Sequence, residues 1–300
     1  MPALLKETVD LLDIKPDGVY VDATFGGGGH SREILRRLGP DGKLFGFDRD
    51  KDAAVNVPDD PRFTFVLSDF RYISNFLRYY GCDKIDGIIA DLGVSFHHFD
   101  SPERGFSFRV DAPLEMRMNP SAPMTAADII KKADEAELRE IFKSHTDLKN
   151  SGEIARLISM ARKESPIETT FQLVEAVSPA LDKRNPKKGL AQVFQALRIV
   201  TNSEMDSLKM LLQQSAKVLK RKGNLVVLSY HSGEDRMVKD FFKSGNVEGE
   251  METDLVYGGT RSPWQLINRN PIVASEEEVM RNPRSRSAKL RGATLLKTEN

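Results

Sequence analysis

The sequence predicts an α/β fold, a mostly parallel sheet with helices on both faces and an all-helical insertion. Three observations predict it. Short, nearly all-apolar runs alternate with helix-like runs over the first part of the chain, the pattern of a sheet buried on both sides. Four of these runs finish in or beside an aspartate: Asp22, Asp48, Asp69 and Asp91. The rhythm then stops, gives way to helical pattern over roughly residues 104 to 200, and resumes.

The elements follow in order. "GVYVDAT" reads as a buried strand, and "SREILRRLG" as a helix with Gly39 as its stop signal. "GKLFGFDRD" is a second strand ending in Asp48. "RFTFVLSDF" is a third, ending near Asp69 and Phe70 and leading into helical "RYISNFLRYYG". "IDGIIADLG" is a fourth, ending at Asp91. Beyond it, "GVSFHHFDSPERGFSFRVDAPLEMRMNPSAP" holds four prolines and no clean period, which predicts a long ordered loop of the functional kind. Thr125 and Asp128 have helix-start spacing at the head of "TAADIIKKADEAELREIFKSH". Three more segments, "SGEIARLISMARKES", "TTFQLVEAVSPAL" and "GLAQVFQALRIVTN", repeat apolar residues every three or four positions. "SEMDSLKMLLQQSAKVLKRKG" predicts a long helix ending at Gly223, then "NLVVLSYHS" a fifth strand, "GEDRMVKDFFKSG" a helix and "WQLINRNPIVAS" edge strands. The expected organisation is a discontinuous sheet domain, residues 1–103 and 201–300, with a helical domain at 104–200.

Composition narrows the class. The 40% hydrophobic and 29% charged fractions are those of a soluble globular protein. No apolar run nears the roughly 18 residues of a membrane helix. The opening "MPALLKETVDLLDIKPDG" mixes acids with leucines and lacks a cleavage site, so it does not read as a signal peptide. A single cysteine, Cys82, excludes an internal disulfide and a Cys-based zinc site, and a reduced cytoplasmic compartment is expected. Forty-four basic residues balance 44 acidic ones, so any hold on nucleic acid rests on local patches. "DKRNPKK" and "RNPRSRSAKLRG" are two such patches, although short charge runs are more often solvated faces. The sequence leaves the oligomeric state open and is compatible with a homodimer.

"VDATFGGGGHS" carries the sharpest local signal. Glycine serves where the backbone takes positive φ or approaches a ligand closely. A strand, glycines and a helix start form the geometry that cradles a nucleotide-like cofactor, and Asp48 is spaced to meet a ribose. A dinucleotide loop would carry a third glycine where Ser31 stands, and no P-loop lysine follows. S-adenosylmethionine has no phosphate and ends in an amino acid, which suits acids and backbone amides. Asp22 is placed for its amino group, Asp48 for its ribose, and Phe70 for adenine, with Asp69 as an acceptor. A phenylalanine after a strand is nevertheless more often core. An NAD-dependent dehydrogenase, which the loop and Asp48 alone permit, and a non-catalytic RNA-binding protein are the alternatives.

Together "DATFGGGGHS", "FDRD", "DGIIADLGVS", "ERGFSFRVDAPLEMRMN", "VFQALRIVTNSE", "SYHSGEDRMVK" and "NPRSRSAKLR" resemble one family. It is the bacterial ribosomal RNA small-subunit methyltransferase H family, also called MraW. The resemblance runs in order over nearly the whole chain and is weakest from about residue 121 to 188. It implies a class I, Rossmann-like, S-adenosylmethionine-dependent methyltransferase sheet with an inserted helical domain. It further implies N4-methylation of a cytosine in the decoding region of 16S rRNA. The implied cofactor residues are Gly28, Gly29, His30, Asp48, Phe70, Asp91 and His98. The chain departs from the family pattern at His98, where a glutamine is usual. It also departs at its start, where relatives carry a few more residues including a histidine.

Methyl transfer to a cytosine N4 is an in-line displacement by a poor nucleophile, so an acceptor for its N–H groups is needed at the end of the fourth strand. Asp91 is the expected catalytic group, with a strand-end cap as its plain alternative, and Tyr230 is the second candidate. No metal is required, because neither step calls for a Lewis acid. A base drawn out of its stack calls for aromatic partners, and Phe106, Phe108 and Tyr230 are candidates, Tyr230 serving equally well in a core. Arg104, Arg109, Arg117, Arg284, Arg286 and Arg291 are candidates for RNA phosphates. Arg109 and Arg117 equally suit pairing with Asp111 and Glu115.

Overall fold

The computed structural model describes residues 2–93, 101–250 and 262–297. Its first elements are α1 (Leu5–Leu12), β1 (Val19–Asp22), α2 (Gly29–Arg37), β2 (Lys43–Asp48), β3 (Phe63–Leu67), α3 (Ile73–Tyr79) and β4 (Ile85–Asp91). Five helices follow: α4 (Ala126–Lys132), α5 (Glu135–His145), α6 (Ser151–Glu164), α7 (Thr170–Val177) and α8 (Pro186–Thr201). The last elements are α9 (Glu204–Val218), β5 (Leu219–Ser229), α10 (Ser232–Ser244), β6 (Trp264–Leu266), β7 (Ile272–Val273), α11 (Glu276–Arg281) and β8 (Lys289–Leu295). The chain divides into two compact units, one of Met1–Gly93 with Met205–Asn300 and the other of Val94–Glu204.

The first unit is built on a sheet ordered β3-β2-β1-β4-β5-β8-β6, with β7 also paired to β8. β1 to β5 are parallel, and β8 runs antiparallel to β5. Strand side chains point alternately to the two faces, and both faces are apolar here. Ile88, Leu225 and Val227 pack into one core, with Phe47, Leu211, Phe241 and Trp264. Their neighbours Ile89, Val226 and Leu228 pack into the other, with Leu12, Ile34 and Leu290. Helices on both faces bury that apolar surface, which is why the strand sequences lack a polar side. The order reverses at β1, whose neighbours are β2 and β4. Ligands of open α/β sheets bind beyond the strand ends at such a point.

Two expected boundaries move. α9 stops at Val218 rather than Gly223, and β5 begins at Leu219. Buried Leu219 pairs with Ile85 and Lys220 bonds Asp86, while the pairing register shifts before Gly87↔Asn224. Lys222, at φ 68, carries the chain through that irregularity. The stretch around Lys289, read from sequence as a basic patch, is a strand inside the sheet. Leu290, Ala293 and Leu295 enter the cores, and β8 lies between β5 and β6.

The second unit has its own core, which includes Leu114, Met116, Ile129, Phe142, Ile158 and Leu173. What reads as one helix from Thr125 is two, because Ala133 is extended and Asp134 starts a new capping box with Glu137. Thr125 with Asp128 and Thr169 with Gln172 cap α4 and α7 in the same way. Between residues 101 and 125 the chain forms a 3-10 turn, Pro102–Arg104, and a bridge between Pro113 and Thr169.

Candidate active site

The strand ends assemble a network of acids in the first unit. β1 closes on Asp22, and the chain turns through Thr24 and the glycines into α2. Gly28 takes φ 70, and a Cβ there would sit 2.9 Å from the Phe25 ring. Only glycine fits that turn without strain. Beside it, a Cβ at Gly27 would meet nothing within 4 Å, so the outer side of the loop is open.

Asp22 is 1% exposed, and its two oxygens accept the Ser31 hydroxyl at 2.7 Å and the Thr24 N–H at 3.1 Å. Burial raises its pKa, against the pull of His30 and these hydrogen bonds. Thr24 also binds the fourth strand, its hydroxyl accepting the Asp91 N–H at 2.6 Å. Asp91 Oδ1 accepts the Tyr230 hydroxyl at 2.6 Å, and Oδ2 lies 3.6 Å from His30 Nδ1. Burial, with the charge of Glu234 adding to it, pushes the Asp91 carboxyl up to about 7, while the Tyr230 bond opposes this. Tyr230 is held strongly toward its neutral form by burial and by Asp91. Burial lowers the His30 pKa although Asp22 pulls it upward, so the His30–Asp91 contact is a neutral ring beside a carboxyl poised near neutrality.

Asp48 ends β2 and receives the Gly26 N–H on Oδ2 and the Asp50 N–H on Oδ1, both at 2.8 Å. Asp69 caps the turn after β3 through the Arg71 N–H, and it also meets Arg49, Arg71 and the Ser207 hydroxyl. These partners occupy the acceptor expected for adenine. Phe70 is buried in the core, with the Arg49 guanidinium 5.9 Å from its ring centre.

The structure thus brings Asp22, His30, Asp91 and Tyr230 into one network and places Asp48, at the end of β2, against the glycine loop. His98 lies outside the described residues. Thr24 and Glu234 escaped the sequence reading. The signal for Glu234 was its place three residues after His231, which caps α10. Thr24 carried none beyond its closeness to Asp22.

Three candidate RNA residues are corrected. Phe106 is 5% exposed in the core of the second unit, so no base can stack on it without opening that core. Arg104 is buried beneath the same core and donates to the carbonyls of Arg117 and Met118. Arg291 is 8% exposed in β8 and donates to Asp235 at 2.7 Å, so its charge serves the sheet. Phe108 is half-buried against Phe194, Arg109 is exposed, and Arg117 takes the alternative expected of it by pairing with Glu115. Arg284 and Arg286 are exposed on the 3-10 turn Pro283–Ser287.

The crevice suits a cofactor bearing an amine and ribose hydroxyls. Asp22 is a buried carboxylate, the loop flank at Gly27 is open, and His30 Nε2 is buried with no hydrogen-bond partner among the described residues. No phosphate-binding lysine stands on the loop. Fold and site are those of a Rossmann-like, S-adenosylmethionine-dependent methyltransferase, and the cofactor is S-adenosylmethionine. The chain belongs to the MraW methylase family, whose sequence profile matches residues 1–295. That membership removes the dehydrogenase alternative. A Parabacteroides distasonis protein named ribosomal RNA small subunit methyltransferase H is 55% identical over 97% of this chain and 95% of its own. Proteins of the same name are 54% identical in Bacteroides fragilis, over 97% and 95%, and 51% identical in Christiangramia forsetii, over 98% and 97%. Among the described residues no helix is long and apolar enough to cross a membrane.

Proposed function

We propose that this chain methylates the N4 amine of a cytosine in the decoding region of 16S rRNA, acting in the cytoplasm on the small ribosomal subunit. The observation that carries the reading is the Asp91–Tyr230 pair at the neighbouring ends of β4 and β5, beside the glycine loop. The relatives named for small-subunit rRNA support the substrate.

When bound, the cofactor supplies a methyl group on a sulfonium. Asp22, Gly28, Gly29 and His30 hold its amino-acid end and Asp48 the ribose, while Phe70, packed in the core, does not offer a ring face to the adenine; His98 is a further candidate. Asp91 accepts an N–H of the cytosine amine, which returns electron density to a nitrogen whose lone pair is otherwise delocalised into the ring. That task requires the ionised form. Tyr230 occupies Oδ1 and leaves Oδ2 for the amine, which fixes the direction of approach. The second unit serves RNA recognition, with Arg109 and Phe108 as its candidates and Arg284 and Arg286 contributing from the first unit.

Mass spectrometry of small-subunit RNA from cells lacking this protein tests the reading. One decoding-region cytosine is expected to lose its N4 methyl group, and re-expression of an Asp48→Ala variant is expected not to restore it. An unchanged modification pattern in the deletion strain overturns the proposal.

A further inference from the structure

Glu234 lies in the first turn of α10 and is 3% exposed. A capping box needs its carboxylate only on the N-cap N–H, here that of His231. Glu234 reaches one residue further. Its Oε2 accepts the Tyr230 N–H at 2.9 Å and the His231 N–H at 3.3 Å. The His231 ring closes the other side, Nδ1 accepting the Glu234 N–H at 3.4 Å and Nε2 lying 3.2 Å from Oε1. The shorter bond therefore goes to the residue that holds Asp91, not to the residue that caps the helix.

We propose that Glu234 is a positioning residue for the transfer. By gripping the backbone of Tyr230, it sets where the Tyr230 hydroxyl meets Asp91, and its charge opposes ionisation of Asp91. The inference rests on the reading of Asp91 as the acceptor for the substrate amine. Among the described residues, the groups that face Asp91 are Asp22 from β1, Thr24 from the loop after it, His30 from α2, and Tyr230 and Glu234 from the β5–α10 turn. Glu278 of α11 acts on Tyr230. Of these, Glu234 is the acid that touches the Tyr230 backbone, so its removal changes geometry and field together.

The test compares wild type, Glu234→Gln and Glu234→Asp. Two quantities are read: kcat against pH for methyl transfer to small-subunit RNA, and the titration of carbon-13-labelled aspartate carboxyls in the protein alone, with Asp91→Asn to assign the signal. Glu234→Gln is expected to lower kcat about 10–100-fold, the range that a slight misplacement costs. The midpoint of its acid limb and the Asp91 titration should both move to lower pH. Midpoints that stay at their wild-type values overturn the proposal, whatever happens to kcat, because the charge of Glu234 then does not act on Asp91. Glu234→Asp keeps the charge but is one methylene too short for both N–H groups. It should lower kcat with the midpoint in place, and wild-type kcat in that variant also overturns the proposal, even if the glutamine variant fails to fold. A wild-type protein that transfers no methyl group to the RNA defeats the functional reading instead, and the carboxyl titration still decides the role of Glu234.

Discussion

Asp91 works against the stability of the protein that carries it. Its carboxyl rises from 3.8 to about 7 in the folded chain, chiefly through burial. The folded state therefore binds that proton more tightly than the unfolded state, so stability falls as pH rises from about 4 to about 7, with the loss complete above. Asp91→Asn keeps an acceptor for Tyr230 and removes the charge. Its melting midpoint is expected to match wild type near pH 4 and to exceed it by about 5 °C at pH 8. Methyl transfer should fall by about 10²–10³-fold. A lower midpoint at pH 8 would contradict the assignment of burial as the cause. Asp22, Asp48 and Asp91 were legible as letters because apolar strands ended on them, and strand ends are where such sheets bind. Phe106 and Arg104 were misread for the opposite reason. An aromatic and an arginine in a proline-rich loop look the same whether they face RNA or a core, and only the packing around Leu114 and Met116 decides between these.

Among elements, two turns depend on glycine for different ends. Gly28 shapes the cofactor loop, whereas Gly105, at φ 67, brings its Cα so close to the chain that a Cβ would lie 2.1 Å from the Pro113 carbonyl oxygen. Gly28→Ala should cost about 1–2 kcal/mol of stability and show mainly as weaker S-adenosylmethionine binding by calorimetry. Gly105→Ala should cost about 3 kcal/mol and show as a lower melting midpoint with cofactor affinity unchanged. Equal loss of affinity in both variants would argue against this division. The parallel strands were legible because their apolar runs are short and bounded by turn residues. β8 was not, since its apolar residues are interleaved with Lys289 and Arg291, whose charges are satisfied by Asp235 only after folding. The end of α9 was hidden similarly, because "KRKG" carries no stop signal before its glycine, and the pairing of Leu219 with Ile85 is long-range.

At the scale of the molecule, a net formal charge of +0 means that RNA binding must be local. Replacing Arg284 and Arg286 with alanine should weaken binding to small-subunit RNA. It should also flatten the salt dependence by about 0.7 for each phosphate no longer neutralised, the single-strand value. Arg291→Ala should leave that slope alone and destabilise the fold by about 1–2 kcal/mol, the loss of one charge-assisted bond to Asp235, which keeps Lys289. A change of slope in Arg291→Ala would return that residue to the RNA surface. The two-unit plan was legible as an interruption of rhythm, because helix period and strand period differ in kind. The sheet unit draws on both flanks of the helical one, with β8 pairing along β5 from Asn224 to Ser229. During synthesis, strands β1 to β4 leave the ribosome long before the strands that close their exposed edge. The nascent chain must therefore wait, half a sheet uncovered, while the helical unit is already long enough to fold. In that interval the edge of β4 that β5 will cover is open to pairing with another chain.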